Sequence, residues 1–254
     1  MTNFKFIAAL MVFIAGAGGG YLAARLSQTR SSEKISSMAN ALAGGVFLGA
    51  AFLHMLPDAI ENFETFLPDD SYPFFALTAA GGFLVVLFLE KVLGAGFDRA
   101  GNGEEGAIYP YILMLTLSIH SIVTGMALGL ESQLVSAGAI LIAILAHKTT
   151  ASMALALSFN RGNAPATRAR NLLWMFYTTT PIGILGGMWI GDSLQGAGEV
   201  HFEAIFDSLA AGTFLYVAIM DILSEEFEGS RGHSGRFVFT LFGFAIMATV
   251  AIWT

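Results

Sequence analysis

Residues 111–130 read YILMLTLSIHSIVTGMALGL, and residues 134–157 read LVSAGAILIAILAHKTTASMALAL. Each run is apolar and long enough to cross a hydrocarbon core about 30 Å thick as a helix. Each nevertheless carries a histidine, His120 or His147, and Lys148 directly follows the second one. A charged side chain near the centre of a membrane helix costs about 2.5–3.5 kcal/mol on insertion scales. The two segments therefore predict membrane helices whose polar side chains serve a polar cargo inside the bilayer.

The composition of the whole chain also indicates a membrane protein. Of the 254 residues, 55% are hydrophobic and only 12% are charged, whereas soluble domains have about 25% charged residues. The 29 glycines suit closely packed membrane helices. The lack of cysteine excludes disulfides and thiolate metal sites, and no basic patch indicates nucleic-acid binding. We expect a single transmembrane domain over residues 1–254, with the lipid bilayer as its surroundings.

Apolar segments of about 20 residues recur along the chain and predict an all-α polytopic membrane protein. Eight transmembrane helices are predicted, at residues 4–26, 38–63, 73–94, 108–130, 134–158, 170–191, 202–224 and 236–253. The apolar run of the first segment, Phe6 to Ala24, has Lys5 ahead of it, and no A-x-A-like cleavage site closes it. We therefore expect it to be a retained helix and not a signal peptide.

Positive charges fall in alternate loops between the predicted spans. Ten of the 12 Lys and Arg residues lie there, namely Arg25, Arg30, Lys34, Lys91, Arg99, Arg161, Arg168, Arg170, Arg231 and Arg236. The other loops carry no Lys or Arg and hold acidic residues instead, among them Asp69, Asp70, Glu131, Asp192 and Glu199. The positive-inside rule places the basic loops in the cytoplasm and both termini on the opposite side.

The second span, with the sequence FLHMLPDAIENF at residues 52–63, carries a polar face. His54, Asp58 and Glu61 are spaced i, i+4 and i+7, so they project from one side of the helix. Pro57 lies between them, removes a backbone hydrogen bond and predicts a bend. The alternative is that Asp58 and Glu61 are simply hydrated at the outer interface. The preferred interpretation is that this polar face forms part of a polar pathway through the membrane.

Spans four and five share a pattern, H-S-x-x-T-G-M-A-L from His120 and H-K-x-x-A-S-M-A-L from His147. Intramembrane histidines in matching frames are typical of a transporter with a site at the midplane. Imidazole with oxygen ligands suits zinc or iron(II). Gly125 and Gly129 have the small-xxx-small spacing that allows another helix to approach closely. The alternative is that both histidines only hydrogen-bond neighbouring helices. Pro181 is expected to kink the sixth span, and Thr180 is expected to compensate for this kink. Other candidate pathway residues are Ser121, Thr124, Lys148, Ala151, Thr180 and Asp207.

Taken together, these motifs resemble the ZIP family of divalent-metal transporters over essentially all eight spans. The matching pieces are FLHMLPDAIENF, HSIVTGMALGLE, AHKTTASMALAL, TTPIGILGG and LAAGTFLYVAIMDILSEE. The resemblance implies a three-two-three bundle in which the first and last three helices are inverted repeats. It also implies elevator-like transport towards the cytoplasm, with His120 and His147 as metal ligands. His54 is a further candidate metal ligand because of its place on the polar face of span two. A cell-membrane location and a homodimer are compatible with it.

Several residues depart from the family pattern. Thr124 and Ala151 stand where many members have Glu, and Ser121, Lys148 and Thr180 stand where binuclear members have acids or amides. Two unit charges about 4 Å apart at a dielectric of about 20 interact by about 4 kcal/mol, and a dication would feel roughly twice that. Lys148 therefore predicts one transported metal ion instead of two.

The loss of both glutamates leaves three possibilities open. Other acidic or imidazole side chains could supply the missing ligands, the protein could transport poorly, or it could prefer another ion. The candidate replacement ligands are His54, Asp58, Glu61 and Asp207.

Two other functions are compatible with intramembrane histidines. An intramembrane metalloprotease is disfavoured because the chain contains no H-E-x-x-H motif. A haem-binding electron carrier would use His120 and His147 as axial ligands. The preferred interpretation is a transporter of divalent metal ions, zinc first, with the metal as substrate, no prosthetic group and no enzymatic activity.

Overall fold

The protein is described from a computed structural model that covers residues 1–27, 32–67, 72–94, 109–162, 164–190, 197–228 and 233–253. Every regular element in these ranges is helical, which confirms the predicted all-α class. The predicted loop residues Arg30, Asp69, Asp70, Arg99, Asp192 and Arg231 lie outside the described residues.

The described elements form eight long helices, three of which contain a π-helical stretch. They are α1, Thr2–Leu26; α2, Ser32–Ala50 continued by π-helical Ala51–Met55 and by Leu56–Phe66; α3, Phe74–Leu87 continued by π-helical Phe88–Gly94; α4, Tyr109–Leu130; α5, Leu134–Arg161; α6, Ala166–Ile190; α7, Ala197–Tyr216 continued by π-helical Val217–Leu223 and by Ser224–Phe227; and α8, His233–Val250. Each predicted span coincides with one of these helices.

Seven of the helices are long and apolar enough to cross a membrane. Among the described residues, α6 is the long helix outside this set, and its first turn contains Arg168 and Arg170. The apolar stretches of α2 and α5 are the most buried, whereas those of α3 and α8 are the least buried. The bundle therefore has α2 and α5 near its centre, and α3 and α8 present apolar surface outwards.

Glycine contacts bring the backbones of α4 and α6 together. A Cβ atom on Gly125 or Gly129 would collide with the backbone of α6, and one on Gly183 or Gly187 would collide with the backbone of α4. The small-xxx-small spacing on α4 thus marks a helix contact, as its sequence predicts. On α1, Gly19 lies against the Thr149 carbonyl of α5 in the same way.

The remaining helices pair through glycine as well. Gly45 of α2 lies against the backbone of α8, and Gly212 of α7 lies against the backbone of α3. The glycine contacts between the described helices divide the helices into two sets of four. Each of these contacts joins two helices of the same set. We call α1, α4, α5 and α6 the site group, because α4 and α5 carry His120 and His147. We call α2, α3, α7 and α8 the flanking group.

The ends of α5 and α7 and the starts of α2 and α8 lie together at one end of the bundle. Arg161 at the end of α5 contacts Glu226 at the end of α7, and Arg236 at the start of α8 donates to Ser37 at the start of α2. We call this end of the bundle the basic end and expect it to face the cytoplasm. At the opposite end, Lys5 Nζ donates to the Gly129 carbonyl at 2.5 Å.

The two intrahelical prolines differ in their effects. Pro57 lies two residues after the end of the π-helical stretch Ala51–Met55, so the regular α-helical pattern is interrupted close to where the sequence predicts a disturbance. Pro181 lies inside α6. The buried Thr180 hydroxyl has no hydrogen-bond partner among the described residues. The expected compensation by Thr180 is therefore wrong. The Thr179 hydroxyl donates to the Phe176 carbonyl one turn earlier.

Replacement of Gly187 by Ala should lower stability, because its Cβ would meet Gly129 Cα at 2.9 Å and the Met126 carbonyl. Overpacking of this kind costs about 1–3 kcal/mol. Gly186→Ala is the matched control, since a Cβ there meets nothing within 4 Å. Thermal unfolding in detergent should show a lower melting temperature for Gly187→Ala only. Equal melting temperatures would contradict a tight contact between α4 and α6.

Candidate metal centre

His120 of α4 and His147 of α5 face each other inside the bundle. Their Nε2 atoms are 3.4 Å apart, and the side chains are 6% and 3% exposed. Thr124, one turn after His120, donates its hydroxyl proton to the His120 carbonyl at 2.9 Å. Its Oγ1 is 3.2 Å from His120 Nε2 and 3.5 Å from His120 Nδ1. The hydroxyl oxygen therefore lies beside the His120 ring, next to the histidine pair.

Phe214 of α7 packs beside the two histidines. Its ring centroid is 4.3 Å from that of His120 and 5.8 Å from that of His147. The aromatic ring shields this side of the pair from water and brings the flanking group into contact with it. Sequence analysis missed this role, because a phenylalanine in an apolar run carries no signal beyond core packing.

Lys148 is buried at the junction of α4, α5 and α6, with 2% of its surface exposed. Its Nζ donates to Ser121 Oγ at 3.0 Å and to the Phe176 carbonyl at 3.3 Å. It also lies 3.8 Å from the centroid of the Phe176 ring and 3.5 Å from Thr179 Oγ1. A cation surrounded by oxygen acceptors and an aromatic face is well stabilised for a buried ammonium. The predicted neighbours Ser121 and Lys148 therefore contact each other beside the histidine pair.

His54 lies on the π-helical stretch of α2 and is 8% exposed. Its Nδ1 is 3.0 Å from Asp58 Oδ2, and Asp207 of α7 is within electrostatic range. Electrostatic interactions also link His54 to His120 and His147. These contacts bring the predicted residues His54, Asp58 and Asp207 into one region.

The other predicted pathway residues differ in their surroundings. Glu61 is exposed, Ala151 is buried in the main apolar core, and Thr180 is buried in α6. Within the described part of the chain, no three His, Cys, Asp or Glu side chains are close enough to hold a metal ion together. The structure therefore has a histidine pair, and His54 is paired separately with Asp58.

A cavity of about 390 Å³ lies at the basic end, and we call it the inner cavity. Its walls include the carboxylates Glu90, Asp221 and Glu225. It reaches Leu113 of α4 and Ala154 of α5, each seven residues from the histidine on its own helix. Seven residues of helix span about 10 Å. The histidine pair thus lies about two helical turns beyond the end of the cavity.

Comparisons with known proteins identify the family. The sequence model of the ZIP zinc transporters matches residues 2–107 and 96–251. The chain belongs to the ZIP zinc transporter family. It is 28% identical to zinc transporter ZIP1 of Takifugu rubripes, over 91% of this chain and 92% of the relative. It is 25% identical to zinc transporter ZIP2 of Mus musculus, over 89% of this chain and 88% of the relative.

Family membership establishes the general function. ZIP proteins are multi-pass membrane transporters of divalent metal ions, and the seven candidate spans agree with an integral membrane protein. The family resemblance drawn from the motifs is therefore confirmed.

Replacement of Lys148 by Met should leave the melting temperature unchanged or raise it. The substitution removes a buried cation but fills the same space, and Thr179 still donates to the Phe176 carbonyl at 2.7 Å. Lys148→Ala is the control, because it leaves a cavity and should melt at a lower temperature. If Lys148→Met melted as low as Lys148→Ala, the ammonium itself would be a structural requirement.

Proposed function

We propose that this ZIP protein transports zinc, or another divalent transition metal such as iron(II), by binding it between His120 and His147. The observation that carries the proposal is the 3.4 Å separation of the two Nε2 atoms. Two nitrogen ligands at 2.0–2.1 Å from a tetrahedral zinc ion lie about 3.3–3.4 Å apart. The pair is therefore spaced to bind one ion without rearrangement.

The remaining coordination positions are supplied by oxygen and by a third imidazole. Thr124 Oγ1, beside His120, is the nearest oxygen donor to the pair. We propose His54 as a further ligand on the pathway, with Asp58 orienting its ring through the 3.0 Å contact at Nδ1. A carboxylate behind a histidine ligand fixes the ring orientation and raises its basicity. Asp207 and Asp58, whose side chain is more exposed than that of His54, attract the ion towards His54.

Only one ion binds beside the histidines, because Lys148 occupies the neighbouring position. Its ammonium is held by Ser121 and the Phe176 carbonyl, so it cannot withdraw without losing both contacts. When Lys148 carries its charge, a dication about 4 Å away would be repelled by roughly 8 kcal/mol at a dielectric of about 20. Two metal ions bound beside His120 in a zinc-soaked structure would contradict this part of the proposal.

Transport proceeds by sliding of the site group against the flanking group, towards the basic end. Backbone contacts at glycine support this division, because they lock α4 to α6 and α1 to α5 but do not join the two groups among the described helices. Side chains line the boundary, for example Phe214 against His120. Side-chain contacts can be exchanged for others more easily than interlocked backbones can.

The helix pairing also supports an inverted repeat. In such a repeat, α1 corresponds to α6, α2 to α7, α3 to α8 and α4 to α5. The packed pair α1–α5 then corresponds to the packed pair α6–α4. In the same way, the packed pair α2–α8 corresponds to α7–α3, and the helices of all four pairs pack extensively against each other. Such internal symmetry is common in transporters with alternating access.

The haem alternative does not suit the geometry. Axial nitrogens on opposite faces of a haem iron lie in line and about 4 Å apart, with the porphyrin between them. His120 and His147 are closer than this, and their rings are inclined by 57°. Phe214 fills the space beside them.

Replacement of His120 or His147 by Ala should abolish zinc uptake into proteoliposomes, because each change removes one of two nitrogen ligands. His233→Ala is the control, since His233 starts α8 at the basic end and lies away from the pair. Size-exclusion profiles should be unchanged in all three variants. Uptake at the parental rate in both site variants would refute the assignment of the pair.

Replacement of Thr124 by Glu should tighten zinc binding at least about tenfold, equivalent to about 1.4 kcal/mol, because a carboxylate would replace a hydroxyl beside His120. The uptake rate should fall at saturating zinc, since a tighter site releases the ion more slowly. Thr124→Gln, similar in size and uncharged, controls for packing. Zinc affinity equal to the parent in Thr124→Glu would place residue 124 outside the coordination sphere.

A further inference from the structure

Arg161 and Glu226 form an ion pair across the boundary between the site group and the flanking group. Arg161 ends α5, and its Nη2 is 2.6 Å from Glu226 Oε1 on α7. Its Nη1 is 2.8 Å from Oε1 of the adjacent Glu225. One guanidinium of the site group therefore binds two successive carboxylates of the flanking group. Charge-assisted contacts of this length are among the stronger hydrogen bonds in proteins.

Glu226 is held in position by its own group. It is 3% exposed, accepts hydrogen bonds from Ser37 and from Asn40 Nδ2, the latter at 3.0 Å, and has Arg236 Nε at 3.8 Å. These three partners lie on α2 and α8, which belong to the flanking group with α7. The carboxylate is thus a fixed acceptor, whereas Arg161 approaches it from the other group.

Sliding of the two groups would separate this ion pair. Glu226 would keep its partners in the flanking group but lose the short contact with Arg161. Only Glu226 is buried, since the Arg161 side chain is 37% exposed, and loss of the short contact would leave the buried carboxylate with Arg236 at 3.8 Å as its cation partner. A buried carboxylate that loses its closest cation is less well compensated. The pair therefore favours the conformation in which it is formed, and the inner cavity is present in that conformation, with Arg161 and Glu225 in its wall.

We propose that Arg161, Glu225 and Glu226 form a clamp that holds the two helix groups in the conformation with an open inner cavity, and that the clamp breaks in each transport cycle. Glu226 is a positioning residue in this scheme, since it acts on the histidine pair through α5 and does not touch the ion. The inference rests on the proposed sliding of the two groups.

Cysteine labelling tests the clamp without requiring transport. The chain contains no cysteine, so Ser158→Cys introduces a single thiol into the wall of the inner cavity. The labelling rate with a membrane-impermeant maleimide is measured in lipid nanodiscs, where both membrane faces are open to the reagent. Adding Glu226→Gln should slow labelling at least about fivefold, because the open-cavity population falls. Glu228→Gln, a neutralised carboxylate outside the clamp, should leave the rate unchanged.

An unchanged or faster rate in the Glu226→Gln variant would overturn the proposal. If that variant does not fold, Arg161→Lys replaces it, since it keeps the charge but cannot bind two carboxylates in a fork. It should slow labelling in the same direction, and an unchanged rate there would equally overturn the clamp.

A locked clamp supplies a functional readout. Cysteines at Arg161 and Glu225, bridged by a short bifunctional thiol reagent, should stop zinc uptake in proteoliposomes, and cleavage of the bridge should restore it. Full uptake with the bridge in place would overturn the clamp. Slowed labelling in Glu226→Gln together with no zinc uptake by the parent protein would contradict the proposed function and leave the clamp supported.

Discussion

Close backbone contact within the site group is the constraint on which the candidate site depends. Gly125 and Gly129 let α4 lie against α6, and Gly19 lets α1 lie against α5. Gly20 of α1 also lies against Tyr177 of α6, so the four helices are connected and the 3.4 Å separation of the histidine nitrogens depends on these contacts. They also bring the Phe176 carbonyl and ring to Lys148, which makes a buried ammonium tolerable. Larger side chains at these glycines would move the helices apart. They would thereby separate His120 from His147 and Lys148 from Phe176.

Hydropathy predicts the helices well because each must be apolar over the length of a bilayer, but it marks only that apolar part. Helix α2 begins at Ser32, six residues before the predicted start, and α7 ends at Phe227, three residues after the predicted end. The additional residues at these ends are largely polar and lie where helices project towards water. Contacts between helices hold these additional residues in place. For example, Ser37 of α2 donates a hydrogen bond to Glu226 of α7.

The site is predictable only where a residue type is costly in its setting. A histidine in an apolar helix is such a case, and His120 and His147 indeed meet. Phe214 and Phe176 gave no signal, because phenylalanine is ordinary in an apolar helix and its partner depends on tertiary packing. The charges of Arg161 and Glu226 are equally ordinary at helix ends, so their pairing could not be foreseen from sequence. The error at Thr180 has a similar origin, since the direction of a hydroxyl depends on the surrounding helices.

The charge distribution along the proposed pathway explains how a site without carboxylates can serve transport. Acidic side chains lie on both sides of the histidine pair, with Asp58 and Asp207 near His54, and Glu90 and Asp221 in the wall of the inner cavity.

In the proposed mechanism, the ion at the pair would meet two imidazoles, which are neutral when they bind metal, and a hydroxyl, with Lys148 nearby. Conduction requires binding that is strong enough for entry and weak enough for release. In the proposed mechanism, the acids would attract the dication from one side and receive it on the other. Because the central ligands would be neutral, the ion would be held least strongly at the step in which the site group slides.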